Sequence, residues 1–229
     1  MVKAVIFDLD GTIVEFNIAY KELRTEIRNL LTYRGVPVSL LSINDSIFEM
    51  LNKTEIFMKN NGASKQQIAD VKNEALKIAE KYEWEAAKTL GLKPGALETL
   101  KALRNMGLKI GLCTINGEKT VNYILTKFRI GSFFDAVVTR DHVTNIKPHS
   151  EHLNAVLEAL EAKPEEAVMI GDSVLDVKSA RELKVIAVGL PTGPFTEEDL
   201  IKAGANYIIT SITDVPVLVK HLRNSIEQK

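Results

Sequence analysis

The sequence is poor in features that indicate secretion, membrane insertion or nucleic-acid binding. It has one cysteine in 229 residues, so no disulfide can form within the chain, and we expect a cytoplasmic protein. No apolar run reaches the length of a membrane span, and the N-terminus lacks the basic start and cleavage site of a signal peptide. Lys plus Arg (29) nearly balance Asp plus Glu (30), which favours neither nucleic acid nor an anionic membrane as partner.

Internal repeats and low-complexity segments are also absent from the sequence. Apolar residues make up 45% and charged residues 26%, the balance of an ordinary globular protein. The length allows a core domain plus an insertion. The single cysteine, Cys113, lies in the apolar run 110–113, which predicts a buried structural thiol rather than a nucleophile.

Short, almost wholly apolar runs alternate with helical patterns over most of the chain. The runs cover residues 3–7, 109–113, 136–139, 167–170 and 185–188, with a weaker one at 207–209. The helical patterns cover residues 96–106, 118–128, 150–161, 174–183 and 197–203. Such runs are typical of strands buried on both faces of a parallel sheet. The alternation therefore predicts an α/β fold with a doubly wound parallel sheet.

Residues from about 17 to 90 carry helical periodicity only. One apolar stripe runs from Leu23 to Leu31 and a second from Ile43 to Met58. A third helix opens at Ser64, where Gln67 can complete a capping box, and it is predicted to stop near residue 91. The sequence thus predicts an all-helical domain of residues 16–91 inserted into an α/β core made of residues 1–15 and 92–229.

Two carboxylates follow the first predicted strand, in the segment Asp8-Leu9-Asp10-Gly11-Thr12. Side chains two residues apart in an extended chain point the same way, and ligands of open α/β sheets bind beyond the carboxyl ends of the strands. Such a pair can hold a hard cation, or divide the roles of nucleophile and general acid/base. Two ordinary surface acids at a strand end are the alternative.

The next two predicted strands are followed by groups that suit an anion. Thr114 and Asn116 precede a predicted helix N-terminus, where backbone N–H groups bind anions, although either residue could simply cap that helix. Lys147 precedes Pro148 after the third strand and could neutralise a phosphate, although most lysines are solvated surface residues.

The fourth strand is followed by Gly171-Asp172-Ser173-Val174-Leu175-Asp176. The spacing from Ser173 to Asp176 is that of a capping box, which explains Asp176 but leaves Asp172 unexplained. His149 and His152 have no matching cluster of ligands, and no role is assigned to them. Since all these strands should end at one sheet edge, the carboxylates, the hydroxyl and the lysine are expected to converge on one pocket.

These positions resemble, in order, the four motifs of the haloacid dehalogenase (HAD) superfamily. The motifs are Asp8-Leu9-Asp10-Gly11-Thr12, Thr114, Lys147-Pro148, and Gly171-Asp172 with Asp176. The helical insertion matches the position of that family's cap domain on a Rossmann-like core, and the chain is most similar to phosphatases of the phosphoglycolate phosphatase type. It departs from the common pattern at Ile146, Ser150 and Lys184, none of which is a catalytic position.

The resemblance implies a phosphatase that acts on a small phosphorylated metabolite, phosphoglycolate being one candidate. Asp8 would be the nucleophile that becomes an aspartyl-phosphate, and Asp10 the general acid/base. Mg²⁺ would be held by Asp8, the Asp10 carbonyl and Asp172, with Asp176 orienting this shell. Thr114, Asn116 and Lys147 would bind the phosphoryl oxygens. Asn17, Arg24 and Arg28, near the start of the cap, are candidates for contacting a substrate carboxylate.

Several alternatives stay open at this stage. A dehalogenase of this family usually lacks the second aspartate, so Asp10 argues against it. A phosphonatase needs a cap lysine that forms a Schiff base, and nothing marks Lys53 or Lys59 as one. A sugar-phosphate mutase shares Asp10, and a non-catalytic phosphate-binding protein would not need it. An apolar cap face could pair with a second copy, so a homodimer is also considered.

Overall fold

A six-stranded sheet forms the centre of the structure, a computed structural model that describes residues 1–227. The strands are β1 (Ala4–Phe7), β2 (Lys109–Cys113), β3 (Ala136–Val138), β4 (Ala167–Gly171), β5 (Ile186–Gly189) and β6 (Tyr207–Ile208). They lie in the order β3-β2-β1-β4-β5-β6, and every pairing is parallel. The predicted doubly wound α/β fold is confirmed. The strand order reverses between β1 and β4, and such a switch point is where ligands bind in open α/β sheets.

Helices form most of the connections between these strands. They are α1 (Tyr20–Tyr33), α2 (Ile47–Asn60), α3 (Lys65–Thr89), α4 (Ala96–Asn105), α5 (Glu118–Lys127), α6 (Ser150–Ala159), α7 (Val174–Leu183), α8 (Glu197–Ala203) and α9 (Val215–Glu227). The predicted bounds of α7 and α8 agree with the structure, while α4, α5 and α6 end one or two residues earlier than predicted. Among the described residues, no helix is both long enough and apolar enough to span a membrane.

The chain folds into two compact units. One consists of Met1–Asn17 together with the chain from Leu90 onwards, and the other is Ile18–Thr89. The second unit contains α1, α2 and α3 and has its own apolar core, in which Ile27, Met50 and Ala75 are fully buried. Since each unit buries its own apolar side chains, each has the basic anatomy of a domain.

Capping residues set where the inserted helices begin. Ser46 and Glu49 form a reciprocal capping box at the start of α2, so the helix begins at Ile47. The prediction that Ile43 belongs to the same helical stripe is wrong, because it lies before this cap and is exposed. The predicted pair at the start of α3 is confirmed: the Ser64 hydroxyl accepts from the Gln67 N–H, and Gln67 Oε1 accepts from the Ser64 N–H.

Candidate active site

A tight turn carries Asp8 and Asp10 away from β1. The Asp8 N–H donates to the Ile170 carbonyl (2.9 Å), which extends the β1–β4 pairing by one bond before the chain turns. Gly11 has a φ of +75°, and its N–H donates to the Val14 carbonyl. That backbone conformation favours glycine. Both aspartates are buried, 7% and 8% exposed, so the turn holds two carboxylates out of bulk water.

Asp8, Asp172 and Asp176 form a buried carboxylate cluster at the β1–β4 switch point. Each offers one oxygen, and the three oxygens lie within 4.8 Å of one another. Burial, and then the charges of Asp8 and Asp176, raise the pKa of Asp172 well above its ordinary value. Burial also raises the pKa of Asp176 to about 7, against the opposing effect of Lys147. Mutual repulsion and desolvation both disfavour the ionised cluster when no further cation is present.

Lys147 is the cation that the protein itself supplies to this cluster. Its Nζ donates to Asp176 Oδ1 (2.6 Å), to Asp8 Oδ1 (2.8 Å) and to the Cys113 carbonyl (2.7 Å). These bonds occupy all three donors of an ammonium group. Burial lowers the pKa of Lys147, but Asp176 and Asp8 outweigh it and raise that pKa well above its ordinary value. Lys147 is therefore a fixed positive charge beside two carboxylates.

The donor set fits a hard divalent cation such as Mg²⁺. Three carboxylates face one ammonium, so the ionised cluster keeps an excess of negative charge. Oxygen donors are the ligands that Mg²⁺ takes in proteins. The backbone also closes in on Asp172: a Cβ added at Gly11 or Gly193 would lie 2.3 Å or 1.5 Å from its Oδ2. Only glycine fits these two positions without moving the carboxylate.

Asp10 has different surroundings from Asp8. Its Oδ2 accepts a hydrogen bond from Asn116 Nδ2 (2.6 Å), and it does not belong to the carboxylate cluster. The Asn116 N–H in turn donates to Thr114 Oγ1 (3.2 Å). The structure therefore brings Asp10, Thr114 and Asn116 into one hydrogen-bonded group, with all three side chains buried.

The helix-capping explanation for Thr114 and Asn116 is wrong. The N-cap of α5 is Gly117, and glycine has no side chain that could cap the helix. Instead, Asp141 Oδ2 accepts from the Glu118 N–H (2.7 Å) at the first turn of α5. At α7 the predicted capping is confirmed, because Asp176 Oδ2 accepts from the Ser173 N–H (3.1 Å). Asp176 thus uses one oxygen to cap α7 and the other to bind Lys147.

Two buried side chains to which the sequence assigned no role contact the loops of this site. Arg140 Nη1 donates to the Ile115 carbonyl (3.0 Å), between Thr114 and Asn116. His152, fully buried at the start of α6, lies against the Lys147 backbone. The Arg140 contact joins residues 25 apart in sequence, whereas the His152 contact joins a helix to the loop five residues before it. Neither apolar periodicity nor a capping pattern indicates these contacts. Cys113 is buried as predicted, and burial raises the pKa of its thiol to about 12.

The arginines that were candidates for substrate contacts have partners within the helical unit. Arg28 Nε donates to the Leu41 carbonyl (2.9 Å). The Arg24 guanidinium lies 5.5 Å from the centroid of the Tyr20 ring. The bond to Leu41 explains the position of Arg28 without a ligand, whereas the buried Nε of Arg24 has no hydrogen-bond partner among the described residues. The role predicted for both arginines in substrate binding stays a prediction.

Comparison with known proteins gives consistent results. A model of the family of haloacid dehalogenase-like hydrolases matches residues 5–190. The pyrophosphatase PpaX of Bacillus cereus is 31% identical over 185 residues, which is 77% of each chain. The β-phosphoglucomutase structure of Clostridium difficile covers 100% of both chains with a TM-score of 0.71 at 21% identity. The structure of a predicted phosphoglycolate phosphatase from Haemophilus somnus has a TM-score of 0.65 at 21% identity, and covers 95% of this chain and 98% of that chain. At such identities the two structures share the fold with this chain.

Proposed function

This chain belongs to the family of haloacid dehalogenase-like hydrolases and is a hydrolase of the phosphatase type, and from that premise we propose a specific reaction. The enzyme removes phosphate from a small phosphorylated metabolite, with Mg²⁺ bound and with Asp8 as nucleophile. The observation that carries this proposal is the buried Asp8–Lys147–Asp176 arrangement at the β1–β4 switch point. The neighbouring cation reduces the repulsion between the Asp8 carboxylate and an anionic phosphoryl group. A surface carboxylate would lack this fixed positive charge.

The first step transfers the phosphoryl group to the protein. An oxygen of Asp8 attacks phosphorus in line, the bond from phosphorus to the leaving oxygen breaks, and Asp10 gives that oxygen a proton. In the second step Asp10 takes a proton from water, and the water attacks phosphorus and releases Asp8 with inorganic phosphate. The Asn116 amide donates to Asp10 Oδ2 and so restrains the acid/base carboxylate.

We assign the phosphoryl oxygens to Thr114, Asn116 and Lys147. Because all three donors of Lys147 are occupied, its ammonium would exchange one of those bonds for a phosphoryl oxygen. Mg²⁺ would be held by Asp8, the Asp10 carbonyl and Asp172, with Asp176 orienting this shell. When bound, the metal neutralises charge on the phosphoryl oxygens and on the carboxylates. The charge of Lys147 offsets part of the repulsion between an anionic nucleophile and an anionic substrate, which positioning alone cannot remove.

We propose that residues 16–91 form a cap domain and that residues 1–15 and 92–229 form the core domain. A cap would exclude water and contact the leaving group. Phosphoglycolate is one candidate substrate, and the name of the PpaX relative adds pyrophosphate as another. We also propose that the enzyme is soluble and cytoplasmic, where either candidate would be a free metabolite.

A substrate panel tests the proposal. Purified protein with Mg²⁺ is assayed for phosphate release from phosphoglycolate, pyrophosphate, sugar phosphates, nucleotides and p-nitrophenyl phosphate, beside the Asp8→Asn variant. We expect release from at least one compound and none with Asp8→Asn. No release from the whole panel contradicts the phosphatase proposal, and equal rates in the variant contradict Asp8 as nucleophile. Conversion of a glucose phosphate to an isomer that keeps its phosphate would indicate a mutase.

A further inference from the structure

His152 is a buried histidine to which the sequence assigned no role. The side chain is fully buried in the first turn of α6, although histidine carries two ring nitrogens that need partners. Both nitrogens have one. Nε2 lies 3.2 Å from the Val138 carbonyl, at the end of β3, and Nδ1 lies 3.4 Å from the Lys147 backbone nitrogen.

These contacts fix the protonation state of the ring. The Val138 carbonyl can only accept, so Nε2 must carry a proton, and the Lys147 N–H can only donate, so Nδ1 must be bare. The required form is the neutral ring protonated at Nε2. Burial, followed by the charge of Lys147, lowers the pKa of His152 to about 4, which keeps the ring neutral at physiological pH.

The Val138 carbonyl connects this histidine to a second loop of the site. It also accepts from the Thr114 N–H (3.1 Å), so one carbonyl serves both the histidine and the turn that follows β2. A continuous path therefore runs from the Thr114 N–H through Val138 and the imidazole to the Lys147 N–H. It joins the backbone of two residues that the proposed function assigns to the phosphoryl group.

We propose that His152 is a positioning residue that sets the backbone of Lys147 relative to Thr114. The inference rests on the proposed function, because only a phosphoryl ligand makes the spacing of these two residues matter for turnover. The Lys147 ammonium is anchored by Asp8 and Asp176, and the bond that the Lys147 N–H donates to His152 Nδ1 holds the other end of the residue, its backbone. With both ends fixed, the Lys147 side chain spans a set distance.

Two amide substitutions separate the bonds of the ring. In His152→Asn, the new amide oxygen can lie near the position of Nδ1 and accept from Lys147, but the shorter side chain cannot reach Val138. His152→Gln can place its amide nitrogen near Nε2 and donate to Val138, but leaves the Lys147 N–H without an acceptor. His149→Gln is the matched control, because His149 is the N-cap of the same helix and its Nδ1 accepts from the Glu151 N–H rather than from Lys147.

The experiment compares these variants by kcat and KM for p-nitrophenyl phosphate with Mg²⁺, and by inhibition with inorganic phosphate. We expect His152→Asn and His149→Gln to stay within about threefold of wild type. We expect His152→Gln to lose roughly 10- to 100-fold in kcat, because small displacements of a positioned group cost that much, and to bind phosphate more weakly. Thermal unfolding temperatures are measured on every variant.

Three kinetic results would overturn the inference. These are equal kinetics in the two His152 variants, wild-type kinetics in His152→Gln, or an equal loss in His149→Gln. Hydrogen exchange of the Lys147 amide by NMR provides a readout that needs no turnover. Faster exchange in His152→Gln than in His152→Asn supports the bond, and equal exchange contradicts it. If wild type turns over no substrate, the proposed function fails, while the exchange result still decides whether Nδ1 holds Lys147.

Discussion

One ion pair of the helical unit and one of the α/β unit have the same chemistry in opposite surroundings. In the helical unit, Lys59 and Glu55 pair across one turn of α2 at 2.5 Å, with side chains 60% and 33% exposed. In the α/β unit, Lys147 and Asp176 pair at 2.6 Å with side chains 3% and 2% exposed. Water screens the first pair and is excluded from the second, so almost equal distances carry very different free energies.

The difference indicates what each pair is for. An exposed pair contributes little, and its loss leaves two hydrated side chains. A buried pair is weak evidence for stability, since the desolvation of both partners offsets their attraction. The cost of burying Lys147 with three carboxylates is therefore more easily explained by a site that binds an anion and a cation.

The largest expected effect comes from removing the buried cation. Lys147→Met should lower kcat for any hydrolysed substrate by about 10²- to 10³-fold, as for loss of one donor to a transition-state oxyanion. It should also lower the free energy of unfolding by about 3–5 kcal/mol, because Asp8 and Asp176 lose their partner. Urea unfolding and steady-state kinetics measure both. A stability change below about 1 kcal/mol would contradict the contrast with exposed pairs.

A second test uses the pH dependence of the buried histidine. The folded pKa of His152, about 4, lies below its ordinary value of 6.5. Between these values the unfolded chain binds a proton that the folded chain does not, so stability falls as the pH is lowered. The stability that the folded protein has while the His152 ring is neutral is fully present above pH 6.5, and it is lost below pH 4. His142 and Glu151 also act on this ring, with opposite signs.

The measurement is the difference in free energy of unfolding between wild type and His152→Asn from pH 8 to pH 4. As the pH falls, wild type should lose roughly 3 kcal/mol of stability relative to His152→Asn. The magnitude follows from about 1.36 kcal/mol per pKa unit. Subtracting the variant, which cannot titrate at this position, removes the other titrating groups to first order. A difference that does not change with pH would show that His152 is accessible to protons in the folded state.

A third test concerns the close backbone around Asp172. Gly193→Ala would place a Cβ about where Asp172 Oδ2 now lies, since the two would be 1.5 Å apart. We expect Mg²⁺ affinity, measured by calorimetry, to fall roughly 10- to 100-fold, as when the supporting shell of a metal site is disturbed. Gly131→Ala is the control, because its nearest neighbour would be 3.7 Å away and its φ is not positive. Unchanged affinity in Gly193→Ala would show that the loop moves without cost.

The sequence predicted the sheet and the edge at which the site lies, because both follow from local patterns. Apolar runs located the six strands found in residues 1–227, and Asp8 and Asp172 follow two strands that are neighbours in the sheet. The parallel topology then brings their carboxylates together. Capping boxes at Ser64 and Ser173 were likewise visible, since each involves residues three apart.

The rest depends on contacts between distant parts of the chain. The approach of Gly193 to Asp172 and of Arg140 to Ile115 joins loops after different strands, and nothing in either segment specifies the other. His152 carries no local signal either, because a histidine in the first turn of a helix is usually solvated. Ile43 shows the reverse error, where apolar spacing continued past a helix start that Ser46 determines.

The smallest expected effect tests the exposed side of the contrast. Lys59→Met removes the partner of Glu55 in a pair with the favourable order, glutamate four residues before lysine, near the C-terminus of α2. Lysine and methionine have similar helix propensities and stem lengths, so the substitution isolates the charge. We expect the free energy of unfolding to fall by about 0.3–0.5 kcal/mol. Urea is used as the denaturant because it is uncharged, so the ionic strength can be varied independently. In about 1 M NaCl this loss should disappear, because the screening length falls to about 3 Å. The larger loss in Lys147→Met should persist, because its buried charges are shielded from salt. Equal salt dependence in the two variants would mean that burial does not separate the two kinds of ion pair.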